Sequence, residues 1–284
     1  MPQAEQNRKD YQMCGTDIGG YMILDDLAEA TRNRIRKQKE AIPPEELRRR
    51  AESMKADTGF PFEAALARPG MSFICEVKKA SPSKGLIAPD FPYLEIAKEY
   101  EKAGAAAISC LTETDYFLGS DRYLEDIASA VQIPVLRKDF TIDPYMIWQA
   151  RVMGASAVLL ICAILSEEQI REFREIAEGL GLSALVEAHD EQEVETAVRA
   201  GARMIGVNNR NLKDFTVDVR NSVRLRGMIP KDVIYVSESG IRTPEDVGAL
   251  FRNGTDAVLI GETLMRSPDK KAELDFLRRD CVDR

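Results

Sequence analysis

Glu76 and Lys78 stand two residues apart at the end of an apolar run, Phe73-Ile74-Cys75-Glu76-Val77-Lys78. The run passes into Lys79-Ala80-Ser81-Pro82-Ser83-Lys84-Gly85, a stretch rich in hydroxyls and cations. In a strand, successive side chains face opposite ways, so Ile74, Glu76 and Lys78 share one face and Phe73, Cys75 and Val77 the other. Charges on a buried strand are costly unless they are paired or used. The pair is therefore either a structural ion pair or the wall of an active site that leads into an anion-binding loop. Four further apolar runs end the same way, at Lys138, Glu187, Asn208 and Glu238. Their parity matches: Leu136 shares a face with Lys138, Leu185 with Glu187, Gly206 with Asn208, and Val236 with Glu238. One such residue is an ordinary solvated strand end. Five strands that end so, converging on one mouth, point to acid–base chemistry. The chain has a single histidine, His189, so that chemistry falls on Lys and Glu.

Two later stretches suit a phosphate. Ser237-Glu238-Ser239-Gly240-Ile241 closes one apolar run, and Gly261-Glu262-Thr263-Leu264-Met265 follows another and opens a short helix. Glycines let backbone approach an anion, and free N–H groups at a helix start donate to it. The Glu262 carboxylate would repel a phosphate, so its side chain is expected to point away. Two ordinary tight turns are the alternative. Phe117 and Phe140 suit an apolar pocket or plain core equally well.

The elements that must position these residues can be counted. Apolar strand segments end near Lys78, Leu111, Lys138, Cys162, Glu187, Asn208, Glu238 and Gly261. Amphipathic helices are expected between and after them at 93–103, 121–130, 143–153, 167–180, 190–200, about 218–228, 244–252 and near 268–279. Ser166, Asp190 and Thr243 stand where caps are needed. Eight strand–helix units predict an α/β fold, a (β/α)₈ TIM barrel. A doubly wound sheet would want a glycine-rich dinucleotide loop after the first strand, and Ala80-Ser81-Pro82-Ser83-Lys84-Gly85 is not one. Ahead of the barrel, Ile23, Leu24, Leu27, Ala30, Thr31 and Ile35 recur at helical spacing. Pro43-Pro44 ends that helix and starts another over about 45–55, and a short helix follows around 62–67. The expected organisation is a flexible tail, 1–20, and one barrel domain, 21–284, that includes a helical extension over 21–70.

Composition excludes several classes. A net charge of −8 argues against nucleic-acid binding, so an anionic substrate needs a local cationic cluster. No apolar run reaches membrane-spanning length, and the start does not read as a signal peptide, so no membrane partner is expected. The five cysteines are odd in number and widely spaced, and Cys75, Cys110 and Cys162 lie in apolar runs. They read as small core residues in a reducing cytoplasm. A lone histidine excludes a multi-histidine metal site.

The same stretches resemble indole-3-glycerol phosphate synthase. The resemblance spans about residues 23–280. It is carried by Cys75-Glu76-Val77-Lys78-Lys79-Ala80-Ser81-Pro82-Ser83-Lys84-Gly85, Leu111-Thr112-Glu113 with Tyr116-Phe117-Leu118-Gly119-Ser120, Leu136-Arg137-Lys138-Asp139-Phe140, Leu185-Val186-Glu187, Ile205-Gly206-Val207-Asn208-Asn209-Arg210-Asn211-Leu212, Ser237-Glu238-Ser239-Gly240 and Leu259-Ile260-Gly261-Glu262. It implies ring closure, decarboxylation and dehydration of a small phosphorylated substrate, 1-(2-carboxyphenylamino)-1-deoxyribulose 5-phosphate, without cofactor or metal. By the resemblance Lys138 is the general acid, Glu187 the later base, and Lys78, held by Glu76, the residue that assists dehydration and neutralises the substrate carboxylate. Asn208 and Glu238 fix hydroxyls. Ser81, Ser239, Gly240, Gly261 and Glu262 fall on the phosphate side, and Ser83 is a further substrate-binding residue. Phe117, Phe140 and Leu159 line the aromatic pocket, with Arg210 beside it. The acid is expected to be a lysine tuned down toward neutrality by burial and by a neighbouring cation, Lys78. Two other readings stay open. A phosphosugar isomerase such as phosphoribosylanthranilate isomerase runs on one acid and one base and does not require the Glu76/Lys78 pair. A catalytically dead barrel would serve as a subunit among other tryptophan-pathway enzymes, and predicts loss of Lys138 or Glu187.

Overall fold

The structure, a computed structural model, describes residues 21–211 and 215–281. The expected tail, 1–20, lies outside them. Eight parallel strands close a barrel: β1 (Ser72–Val77), β4 (Ala107–Leu111), β5 (Val135–Lys138), β6 (Ala157–Ile161), β7 (Ser183–Ala188), β8 (Met204–Asn208), β9 (Ile234–Glu238) and β10 (Ala257–Ile260). Parallel strands covered on both faces read as largely apolar runs, and these do until the polar and charged residues at their C-terminal ends. One face carries Ile74, Leu136, Leu159, Leu185, Val236 and Leu259 into an inner core. The other carries Phe73, Cys75, Val77, Ile108, Val158 and Val186 into an outer core shared with the helices. The barrel closes where Ser72–Cys75 lie beside Ala257–Ile260 and Ile74–Val77 beside Ala107–Cys110.

The covering helices are α4 (Tyr93–Lys102), α5 (Asp121–Ala130), α6 (Pro144–Val152), α7 (Glu167–Gly179), α8 (Glu191–Arg199), α9 (Arg220–Leu225), α10 (Pro244–Arg252), α11 (Glu262–Arg266) and α12 (Lys270–Arg278). The expected caps form: Ser166 and Gln169, and Thr243 and Asp246, make reciprocal capping boxes. Asp190 accepts from the Glu193 N–H. The segment expected as one helix over 218–228 instead ends at Leu225 and tightens into a 3₁₀ turn, Arg226–Met228, as helix ends commonly do. The loop after β1 also holds a hairpin that its polar composition concealed. Strands β2 (Ala80–Ser81) and β3 (Gly85–Leu86) pair antiparallel across Pro82-Ser83-Lys84.

The extension folds as α1 (Tyr21–Ala41), α2 (Pro44–Glu52) and α3 (Pro61–Leu66). Leu27, Ala28, Thr31 and Ile35 of α1 are buried, one stripe at helical spacing. Phe62 and Leu66 of α3 join the strand-start residues Ala107, Ala157, Met204 and Ala257 in the inner core. Ile35 and Leu47 form a separate cluster with Tyr145 and Met146 of α6. A buried charge network pins α1 to β5. One Arg34 nitrogen lies 2.7 and 2.8 Å from the two Asp139 carboxylate oxygens, and another donates to the Thr112 carbonyl at 3.0 Å. Arg137, fully buried, bonds Thr112 Oγ1, the Met146 carbonyl and Asp121. Among the described residues, no helix is long and apolar enough to cross a membrane.

Candidate active site

The strand ends meet at one mouth. At the end of β1 the Lys78 ammonium lies 2.5 Å from Glu76 Oε2. A Cβ on Gly261, just past β10, would run into the ends of both side chains, so a larger residue there would have to displace the pair. Lys138, the last residue of β5, places Nζ 2.8 Å from Glu187 Oε2 on β7 and 3.4 Å from Glu238 Oε2 on β9. Asn208, the last residue of β8, donates Nδ2 to the other Glu187 oxygen at 3.1 Å. Gly206, two residues earlier on the same face, leaves the space that Glu238 Oε1 occupies. All sixteen site residues expected from the sequence line this one cavity.

The electrostatics correct one expectation. Burial works against the Lys138 ammonium, but Glu187, Glu238 and Glu76 outweigh it and hold the group well above the usual lysine range. Lys138 is therefore not tuned down toward neutrality. The charges that surround it are chiefly carboxylates, contributed by β1, β7 and β9. Those carboxylates are pushed apart. Burial raises Glu187, yet Lys138 and His189 prevail and keep it ionised far below the ordinary range. Burial, with Glu187 and Glu76, drives Glu238 up to about 7 against the pull of Lys138. Two carboxyl groups on one lysine thus take opposite protonation tendencies, the arrangement that separates acid from base.

The remaining expected residues form the other walls of the cavity. Phe117 and Phe140 face each other with ring centroids 6.2 Å apart, and Phe140 and Leu159 belong to the inner core. Leu24 and Leu27 of α1 also line the cavity, so the extension supplies part of the apolar wall. At the polar end, Ser239 has a left-handed backbone, φ 68°, followed by Gly240 at φ 82°. Glu262 turns its carboxylate to Arg266 Nε at 3.1 Å, one turn along α11, with Lys84 at 3.8 Å. Ser81 and Ser83 reach the cavity from the hairpin loop. Arg210 donates to the Phe215 carbonyl at 3.3 Å, and burial lowers its pKa.

Three contributors escaped the sequence reading. His189 lies two residues past Glu187, on the same face of the chain. Its Nε2 is 3.3 Å from Glu187 Oε1 and its Nδ1 2.9 Å from Glu193 Oε2. Burial opposes its charge, but the two carboxylates raise its pKa to about 10, so the imidazolium faces Glu187. The parity of 187 and 189 was the available signal. Glu113, buried, accepts from the N–H groups of Asp115, Tyr116 and Phe117 at 2.8 to 2.9 Å and so shapes the loop that carries Phe117. The Arg34–Asp139 link stands next to both Lys138 and Phe140. Only the fold brings its partners together.

Comparison with known proteins agrees with this geometry. The indole-3-glycerol phosphate synthase family profile matches residues 24–277. The indole-3-glycerol phosphate synthase of Ruminiclostridium cellulolyticum is 57% identical over 257 residues, 90% of this chain and 99% of that protein. That of Endomicrobium trichonymphae is 58% identical over 246 residues, 87% of this chain and 95% of that protein. Among solved structures, 3-hexulose-6-phosphate synthase from Salmonella typhimurium superposes with a TM-score of 0.61 at 14% identity, over 75% of this chain and 99% of that one, a likeness of fold alone. A closed eight-stranded barrel, a lysine held among carboxylates from three strands, and a profile match over nearly the whole described chain lead to one assignment: the chain belongs to the indole-3-glycerol phosphate synthase family.

Proposed function

We propose that this cavity converts 1-(2-carboxyphenylamino)-1-deoxyribulose 5-phosphate to indole-3-glycerol phosphate, the carboxy-lyase step of tryptophan biosynthesis, with Lys138 as acid and Glu187 as base. The observation that carries the assignment of roles is the position of Lys138 Nζ, 2.8 Å from Glu187 and 3.4 Å from Glu238. The ring carbon that bears the substrate carboxylate attacks the ketone. A carbon–carbon bond forms, and the ketone oxygen takes a proton from Lys138. The carboxylate then leaves as CO₂, and its bonding pair restores the aromatic ring. The new hydroxyl leaves as water with a proton from Lys78, while Glu187 removes a proton from the adjacent carbon to complete the indole. A lysine with a raised pKa is a weaker acid, but it is always protonated, and the alkoxide that forms during ring closure is more basic still.

The coupled charges also order the steps. While Lys138 is an ammonium, it holds Glu187 down as a feeble base. Once Lys138 has given up its proton, that restraint is gone and Glu187 becomes a stronger base for the last step. Glu76 and Lys78 are read as the pair that receives the substrate carboxylate. Phe117, Phe140 and Leu159 are read as the aromatic pocket, with Arg210 at its edge. Asn208 and Glu238 are read as hydroxyl contacts. Ser81, Ser83, Ser239, Gly240, Gly261 and Glu262 form the phosphate end, where backbone N–H groups meet an anion. A cytoplasmic location and association with other tryptophan-pathway enzymes extend the same reading, and fractionation and co-purification test them. Incubation with the carboxyphenylamino-deoxyribulose phosphate should produce indole absorbance. A folded protein that leaves the substrate unchanged would sink the assignment.

A further inference from the structure

Asn209 stands one residue beyond β8 and beside Asn208, but on the opposite face of the chain, and it is buried. Its side chain makes four hydrogen bonds. Nδ2 donates to Ser237 Oγ and to the Ser239 carbonyl, both at 3.1 Å. Oδ1 accepts from the Ser222 N–H at 3.0 Å and from Ser222 Oγ at 2.8 Å. The orientation of the amide is not arbitrary. A backbone N–H can only donate and a backbone carbonyl can only accept, so Ser222 N and Ser239 O together fix which end is nitrogen. Ser222 and Ser237 are fully buried and bond each other at 2.7 Å, which completes the network.

The far end of this network is the turn after β9. Ser239 is one of four described non-glycine residues with positive φ, and Gly240 follows in the same left-handed region. Left-handed backbone is disfavoured for any residue with a Cβ, so something must hold Ser239 there. The Asn209 amide is a buried side chain bonded to the Ser239 carbonyl. On its other side a Cβ at Gly240 would collide with Val217. The turn is thus fixed from behind while its open side lines the cavity.

We propose that Asn209 is a positioning residue for the phosphate end of the substrate, acting through the shape of the Ser239-Gly240 turn. This rests on the reading of that turn as a phosphate contact. The test is the ratio of kcat/KM for the phosphorylated substrate to that for its dephosphorylated form. Damage to the fold lowers both values together, whereas a misplaced phosphate turn lowers the ratio. In Asn209→Ala and Asn209→Asp the ratio should fall roughly three- to tenfold, the effect of about one neutral hydrogen bond. Asn209→Asp keeps the acceptors for Ser222 and removes the donor to Ser239, so the test does not depend on the alanine variant folding. Ser222→Ala removes the hydroxyl bonds to Asn209 Oδ1 and to Ser237 but keeps the backbone N–H bond at that end of the amide. It should lower the melting temperature and leave the ratio at the wild-type value. Unchanged ratios in both Asn209 variants, or an equal fall in Ser222→Ala, would overturn the role of Asn209. A wild-type enzyme that does not prefer the phosphorylated substrate would instead remove the phosphate assignment beneath it.

Discussion

Lys138 has a proton to give and three carboxylates that make it reluctant. Its replacement by alanine removes the acid and leaves Glu187 with His189 as its remaining cation. Loss of a general acid commonly costs about 10²–10⁴-fold, so Lys138→Ala should lose that much kcat while substrate still binds. Single-turnover kinetics and equilibrium titration decide it, and a variant that keeps a tenth of the wild-type rate would rule Lys138 out as the acid. Glu238 leaves a different trace. Its pKa stands near 7 in the folded chain, above the ordinary carboxyl value, because burial penalises its charge. A raised acid favours the folded state at low pH, and that advantage is lost as pH rises through about 7. Glu238→Gln carries no such penalty. Its melting temperature relative to wild type should therefore climb between pH 5 and pH 8, and a difference independent of pH would refute the environment described for Glu238. The positions of these groups were legible from strand parity alone. Their protonation was not, because it depends on distances between β1, β5, β7 and β9 that no local pattern records.

At the scale of elements, the extension is the part whose function the chain order hides. The spacing of Leu24, Leu27, Thr31 and Ile35 shows that α1 is a helix with something to cover. It does not say that Leu24 and Leu27 cover the active site, nor that Arg34 reaches Asp139, since that partner lies more than a hundred residues away. We propose that 21–284 is one domain in which the extension is integral. Deleting residues 1–20 should leave stability and kinetics nearly unchanged. Deleting 1–58 removes Arg34 and leaves Asp139 and Arg137 in a broken buried network, a kind of loss that costs about 3–5 kcal/mol. It also removes buried Leu27, Ile35 and Leu47, each worth up to about 1.5–3 kcal/mol. Together these rival a whole domain's stability of about 5–15 kcal/mol. The shorter protein should melt far lower or precipitate, and any soluble fraction should show a raised KM. A 59–284 protein that melts and turns over like the full chain would make the extension an appendage.

For the whole molecule, the sequence announced the barrel more clearly than its loops. Eight apolar runs at regular spacing leave few alternatives, whereas the β2–β3 hairpin is built from residues that read as loop and pairs through only two positions on each side. We propose that the charge chemistry is self-contained. Among the described residues no group of three or more His, Cys, Asp or Glu side chains could hold a metal, and each central carboxylate already faces a lysine. Chelation by EDTA should therefore leave turnover untouched. Activity lost on chelation and restored by a divalent ion would overturn a mechanism that runs on protein cations alone.

The seam between β1 and β10 joins the two ends of the barrel sequence, and Glu76 and Lys78 lie on one side of it with Gly261 on the other. The site is thus expected to be a late product of folding. Helices form within microseconds from local contacts, whereas a pairing so remote in sequence must wait for nearly everything between. During refolding, helical circular dichroism should recover first and enzymatic turnover last. If the two recover together at every temperature, the seam closes no later than the rest. If turnover lags, each molecule acquires its catalyst at one moment, when the ring of strands shuts.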